Sequence, residues 1–144
     1  VRPIYERDHD RVAQAEAIDA LAKATGTEAS PTPPLTFYDY EMLRDGKPVA
    51  IVEVKCRKLP RNQYDDYIIS HGKMVRLCYE ANQREVAGIL LVRWIDAIGW
   101  LAVERLDPES WITRAGGRTD RNDPQDIERM ACFPIPWFRM LEAA

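Results

Sequence analysis

The sequence predicts an α/β domain whose elements run helix, strand, strand, helix, strand, strand (α-β-β-α-β-β), followed by a loop-rich C-terminal tail. Three observations carry that prediction. Two stretches, Asp8 to Thr25 and Tyr64 to about Asn82, repeat apolar residues at helical spacing. Two others, Val49–Val52 and the AGILLVRWI run within Val86–Asp96, are apolar and β-branched enough for a buried sheet, and each has a neighbouring hairpin partner. The last thirty residues hold Gly116, Gly117, Pro124, Pro134 and Pro136, which interrupt regular structure.

In the first helix Asp8 or Asp10 can cap the start, and Val12, Ala15, Ile18 and Leu21 or Ala22 form the buried stripe. Gly26 is positioned to end it in the left-handed conformation. Ser30 to Pro34 (SPTPP) reads as a rigid extended linker, too early in the chain to separate domains. A strand from Leu35 to Leu43 follows, then Arg44-Asp45-Gly46 and the central strand, which together are a hairpin signal.

The central strand carries an anomaly. Its apolar run Val49, Ala50, Ile51, Val52 continues into Glu53 and Lys55, and strand alternation puts both charges on one face. Charges are seldom set in so apolar a strand unless they are paired or bind something. The hairpin decides what stands near them. A two-residue Asp45-Gly46 turn pairs Asp39 with Val52 and turns it away from Glu53. A three-residue loop with Gly46 as a left-handed bulge pairs Asp39 with Ile51, so that the odd-numbered residues share a face and Asp39 lies diagonal to Glu53. The three-residue loop is the expectation.

Beyond a polar loop with Pro60, the second helix is expected to present Tyr64, Ile68, His71, Val75 and Cys78 on one face, with Met74 beside it. His71 reads as a packing residue. Gly99 to Glu104 is the hairpin partner of the second apolar strand, and Asp107-Pro108-Glu109 opens a short helix with proline at its first position. The tail is expected to wrap the core through Phe133, Trp137 and Phe138.

The 144 residues, 46% hydrophobic with four tryptophans, suit one globular domain over residues 1–144. No apolar run approaches the roughly 20 residues of a bilayer span, and no signal-peptide pattern opens the chain, so no membrane partner is expected. Three scattered cysteines give no zinc pattern and suggest a reducing, cytoplasmic setting, and the two isolated histidines, His9 and His71, argue against a histidine-built metal site. The net charge of −3 argues against an overall basic coat. A local basic cluster nevertheless follows the central strand: Lys55, Arg57, Lys58 and Arg61.

The order of elements, Asp39 in FYDYE and Glu53-Val54-Lys55 in VEVK together resemble the PD-(D/E)XK nuclease superfamily over roughly Arg7 to Val103. More narrowly, EVKCR at the strand end, GGRTDR (Gly116 to Arg121) and the DIE triplet (Asp126 to Glu128) look like small phage or prophage members. The resemblance implies a restriction-endonuclease-like core, a mixed β-sheet flanked by helices. It also implies a divalent-metal-dependent nuclease hydrolysing DNA phosphodiester bonds. Asp39, Glu53 and the Val54 carbonyl would hold Mg²⁺ or Mn²⁺, with a further ligand from the first helix, Glu16 or Gln14, the charged Glu16 being preferred. Lys55 would orient the attacking water. The sequence departs from the family pattern in having Tyr38 where proline precedes the aspartate.

The chemistry suits those residue types. Hard cations such as Mg²⁺ take oxygen ligands and need only one or two carboxylates besides phosphate and water. Arg57, Lys58, Arg61 and Lys73 are candidates for contacts to the DNA backbone, which carry no sequence information. No sequence-reading module accompanies them, so branched or flapped DNA is the expected substrate, and cutting both strands would use a symmetric homodimer. The alternatives are a catalytically inactive DNA-binding module of the same fold, or a phage structural or accessory protein in which Glu53 and Lys55 merely neutralise each other.

Overall fold

The computed structural model describes residues 8–117 and 127–143. The elements are α1 (Asp8–Thr25), β1 (Glu28–Pro31), β2 (Tyr40–Arg44), β3 (Lys47–Cys56), β4 (Asp66–Ser70), α2 (His71–Arg84), β5 (Ala87–Arg93), β6 (Ile98–Ala102), β7 (Ile112–Gly117), β8 (Ile127–Pro134) and β9 (Arg139–Leu141). Six strands form one sheet in the order β1-β2-β3-β5-β6-β9, and β4, β8 and β7 form a second. The large sheet is mixed: β3 and β5 run parallel, joined through β4 and α2, and every other neighbour is antiparallel. The α-β-β-α-β-β order survives as α1, β2, β3, α2, β5, β6, so the expected α/β fold with a mixed sheet between helices is what the chain adopts.

Parity along β3 and β5 sorts the core into two layers. Ala50, Val52, Val54, Ile89 and Leu91 face α1, where they meet Ala17, Ile18, Ala20 and Leu21. Ile51, Leu90 and Val92 face α2 and the second sheet, where they meet Leu77, Ala81, Ala131 and Phe133. Gly88 lets α2 approach β5 closely, since a Cβ there would stand 3.0 Å from the Ala81 Cβ and 3.3 Å from the Leu77 carbonyl oxygen.

Several sequence expectations need correction. In α1 the buried turn is Ala17 to Leu21, and Val12 is 59% exposed because the helix leans on the sheet only through its later turns. Ser30 and Pro31 of the expected linker join the edge strand β1, where proline's missing N–H costs nothing. Leu35, at φ 70° and fully exposed, tips a turn, so β2 begins at Tyr40. The stretch Asp66–Ser70, expected to be helical, is strand β4, and α2 starts only after Ser70, whose hydroxyl caps the Lys73 amide. Its buried face is Met74, Leu77, Cys78 and Ala81, not one continuing from Tyr64.

The tail is more regular than loop-rich: β7 and β8 pair along six residues, and β9 closes the sheet edge. Phe133 and Phe138 return to the core as expected, but Trp137 stays 44% exposed. Gly116 lies in β7, and Glu128 in β8, while Arg118 to Arg121 and Asp126 lie outside the described residues. Gly26 takes the left-handed conformation, and Asp107 caps the 3₁₀ turn Pro108–Ser110. His71 packs edge-on against Trp111 at 5.6 Å.

Candidate active site

The hairpin reaches the expected face by an unexpected route. Arg44 pairs with Lys47 and Leu43 with Pro48, so the loop is the two-residue Asp45-Gly46 turn, with both residues at positive φ as a type I′ turn demands. Met42, however, pairs with Ala50, which leaves Val49 as an extra residue on β3. That bulge shifts the register by one. Tyr40 then lies opposite Val52, and the residue before it, Asp39, bonds back to the Val52 carbonyl at the end of the pairing. The expected three-residue loop is therefore wrong, but the bulge leaves Asp39 just before β2 beside Val52 and Val54, where its charge is felt at Glu53.

Asp39 is pinned from three sides. Its N–H donates to the Val52 carbonyl at 2.8 Å, and its own carbonyl accepts from the Thr32 N–H and hydroxyl, each at 3.0 Å. Its Oδ2 accepts from the Val54 N–H at 2.7 Å. Since Val52 and Val54 both turn their backbone groups toward β2, the Val54 carbonyl faces the same open edge, just past the point where β2 begins.

Glu53 is 8% exposed and is the one buried charged residue among those described. Lys55 Nζ lies 3.1 Å from its Oε1. Burial raises the Glu53 pKa, the Asp39 charge raises it further, and Lys55 and Lys73 pull it back. Burial likewise raises that of Asp39, against the Val54 amide and the same two lysines. Two desolvated carboxylates raised in this way form a site that favours added positive charge. Among the described contacts Asp39 Oδ1 and Glu53 Oε2 have no partner. With the Val54 carbonyl they make a hard, all-oxygen donor set of the kind Mg²⁺ or Mn²⁺ accepts, and no third acidic, histidine or cysteine side chain joins them among the described residues.

Glu16 does not complete that set. Helix α1 covers the even-numbered face of β3, opposite Glu53 and Lys55, and Glu16 is spent on Arg93, 3.1 Å away. Gln14, two residues earlier and so on a different side of the helix, lines a concavity with Asp10, Val54 and Lys55 at the strand end. Of the two candidates, Gln14 is thus the one that lies near Val54 and Lys55, while Glu16 pairs with Arg93.

The basic residues separate into two groups. Lys73, in the first turn of α2, borders a small crevice with Glu53, Phe37 and Met74, and its charge is felt by both carboxylates. Arg57 turns inward, donating to the Ile68 carbonyl at 3.1 Å with its guanidinium 4.8 Å from the Tyr67 ring centre. Lys58 is exposed and Arg61 half-exposed. Sequence reasoning missed Tyr67 and Phe37 as neighbours of the site, because both depend on where β4 and the Pro33–Thr36 turn fold. The sequence signal for Lys73 was Ser70, an N-cap that would have set it in the opening turn of α2.

A sequence model of the family described as "Phage putative PDDEXK endonuclease" matches residues 1–141. No curated protein matches the sequence. Among solved structures, the fold is similar to Archaeoglobus fulgidus Hjc, a Holliday junction resolvase from an archaeal hyperthermophile. The TM-score is 0.55 and the identity 13%, over 90% of this chain and 94% of that one.

Proposed function

The chain belongs to the phage PDDEXK endonuclease family, and from that premise we propose that it is a divalent-metal-dependent endonuclease acting on branched DNA, with Asp39, Glu53 and Lys55 at its centre. The observation that carries the reading is Asp39 bonded to the backbone of Val52 and Val54, on either side of the buried Glu53, with Lys55 3.1 Å from Glu53. Asp39, Glu53 and the Val54 carbonyl would hold the cation. Once bound, Mg²⁺ or Mn²⁺ supplies a Lewis acid for the phosphate and lowers the pKa of a water.

The remaining work falls to the protein. Asp39 is held by Thr32, Val52 and Val54, so its carboxylate needs no reorganisation before it acts. Lys55 stands on the same strand face, where its ammonium can position the attacking water and offset charge growing on the phosphoryl oxygens. Lys73 adds positive charge from the other side of the carboxylates. Lys58 and Arg61 extend beyond the strand end, suited to phosphates of the bound strand.

Branched DNA is favoured because the resolvase of similar fold is one for Holliday junctions and because the described residues include no helix-turn-helix or other groove-reading element. Cutting both strands of such a substrate would engage two copies related by a two-fold axis. The test is a cleavage panel of linear duplex, single strand, flap and four-way junction with Mg²⁺ or Mn²⁺. Metal-dependent cutting that favours the flap or junction is expected; metal-dependent cutting of all four alike would remove the branched-DNA part of the reading. Absence of cutting in every metal would remove the nuclease.

A further inference from the structure

A cavity of about 190 Å³ opens past the end of β3, and neither Asp39 nor Glu53 lines it. Its walls are aromatic and apolar: Tyr64, Tyr67 and Trp94, with Leu59. Arg57 and Arg61 also line it. The Tyr67 and Trp94 rings meet edge to face at 6.2 Å. Tyr64, by contrast, is 62% exposed, a large ring left at the surface next to two arginines.

Three features suggest a ligand rather than a packing defect. The Tyr67 hydroxyl is buried with the Arg57 guanidinium as its polar neighbour, and the two form no hydrogen bond of good geometry. Buried hydroxyls are rarely left so. The segment that frames the cavity is anchored: the Arg61 N–H donates to Asp96 Oδ1 at 2.9 Å, and the Leu59 carbonyl accepts from Ile95 at 3.2 Å. Lastly, the cavity begins at Arg57, just past the end of the strand that carries Glu53 and Lys55. Arg57 follows Lys55 by two residues on β3's line, and the Glu53 charge is felt at Tyr67.

Aromatic walls with arginines beside them suit a flat, heteroaromatic, anionic-backboned ligand. At about 190 Å³ the space falls below the roughly 300–1,000 Å³ of drug-sized ligand sites, so its occupant is small. Asp66, which also lines it, can accept from an exocyclic amino group. We propose that this cavity receives one unstacked nucleobase of the DNA strand engaged at Asp39 and Glu53, so that branch points are chosen over uninterrupted duplex. The proposal rests on the nuclease reading and deepens it. An intact duplex would have to unpair a base to fill the site, whereas a flap or junction already offers one. Selectivity for structure then needs no reading of sequence.

The test is equilibrium binding of the full chain in EDTA, where nothing is cut. The probes are a forked duplex with unpaired nucleotides and the same fork made abasic at those positions. The intact fork should bind roughly tenfold more tightly, the scale of one stacked base. Tyr64→Ala should erase that preference and Tyr64→Phe should keep it. Arg61→Ala should weaken both forks alike and flatten the salt dependence. Equal binding of the two forks, or a preference untouched by Tyr64→Ala, overturns the proposal. If metal-dependent cutting persists while the forks bind equally, the cavity's role falls and the nuclease stands. If the base-dependent preference is present without cutting in any metal, the nuclease reading falls and the cavity's role stands.

Discussion

Replacing Asp39 by asparagine should stabilise the metal-free protein, although it removes a group that the proposed function needs. The Asp39 charge is felt at Glu53, and side chains on neighbouring strands stand about 5 Å apart at their Cβ atoms. Two unit charges at roughly that distance, at an effective dielectric constant of about 20, repel by about 3 kcal/mol. Asp39 is only half-buried, so solvent screening takes part of this. Asparagine can still accept from the Val54 N–H, but gives up about 1 kcal/mol of charge assistance in that bond. The Lys55–Glu53 pair is left in place. The net gain is about 1 kcal/mol, or roughly 3 °C in Tm for a chain of this size.

The pH dependence has a definite sign. Both carboxylates have pKa values raised above their ordinary 3.8 and 4.5, so the folded state binds their protons more tightly than the unfolded state does. The stability penalty is absent below those ordinary values, grows as pH rises through them, and is complete above the raised values. Thermal unfolding in EDTA should thus show Asp39→Asn more stable than wild type at pH 8, the difference closing below about pH 3.5. Metal reverses the ranking, since wild type at a hundredfold excess over Kd gains about 2.7 kcal/mol and the variant far less. A destabilised Asp39→Asn at pH 8 in EDTA, or a wild type indifferent to metal, would refute the reasoning.

Three further outcomes follow from the geometry. Glu16→Ala should keep cutting within about twofold of wild type and cost at most about 1 kcal/mol in chemical denaturation, because its partner is Arg93 on the far face of the sheet. Gly88→Ala should lose about 1–3 kcal/mol, as its methyl would press on the Ala81 side chain and the Leu77 backbone of α2. Cys78, whose thiol is pushed up to about 11 by burial and donates to the Val103 carbonyl, should resist alkylation at pH 8 in the native protein and react on unfolding.

What could be read from the sequence was the period and the face. Strand alternation put Glu53 and Lys55 together without help, and the apolar runs located β3 and β5. The bulge at Val49 could not be read, because a β-branched residue among others carries no mark of being the extra one; only the pairing of Met42 with Ala50 reveals it. Asp66–Ser70 was mistaken for helix because five residues with Tyr67 and Ile69 turned inward fit either period, and tertiary pairing with β8 decides for strand. Glu16 and Gln14 differ by two positions on α1, and charge says nothing about which points to the strand end. That depends on which turn of the helix meets Ala50, Val52 and Val54. The tail strands escaped notice because prolines and glycines sit at their ends, where β7, β8 and β9 tolerate them.

The claim that Asp39, Glu53 and Lys55 are the hydrolytic centre is tested most directly by the single-turnover cutting rate of Lys55→Ala beside wild type, at saturating metal and on the best substrate of the panel. Lys55 is partly exposed, and its loss leaves the core untouched. A fold that melts as wild type does, still gains stability from metal, and cuts at least about a hundredfold more slowly is the expected result. Cutting at the wild-type rate would contradict it and move the chemistry elsewhere on the molecule.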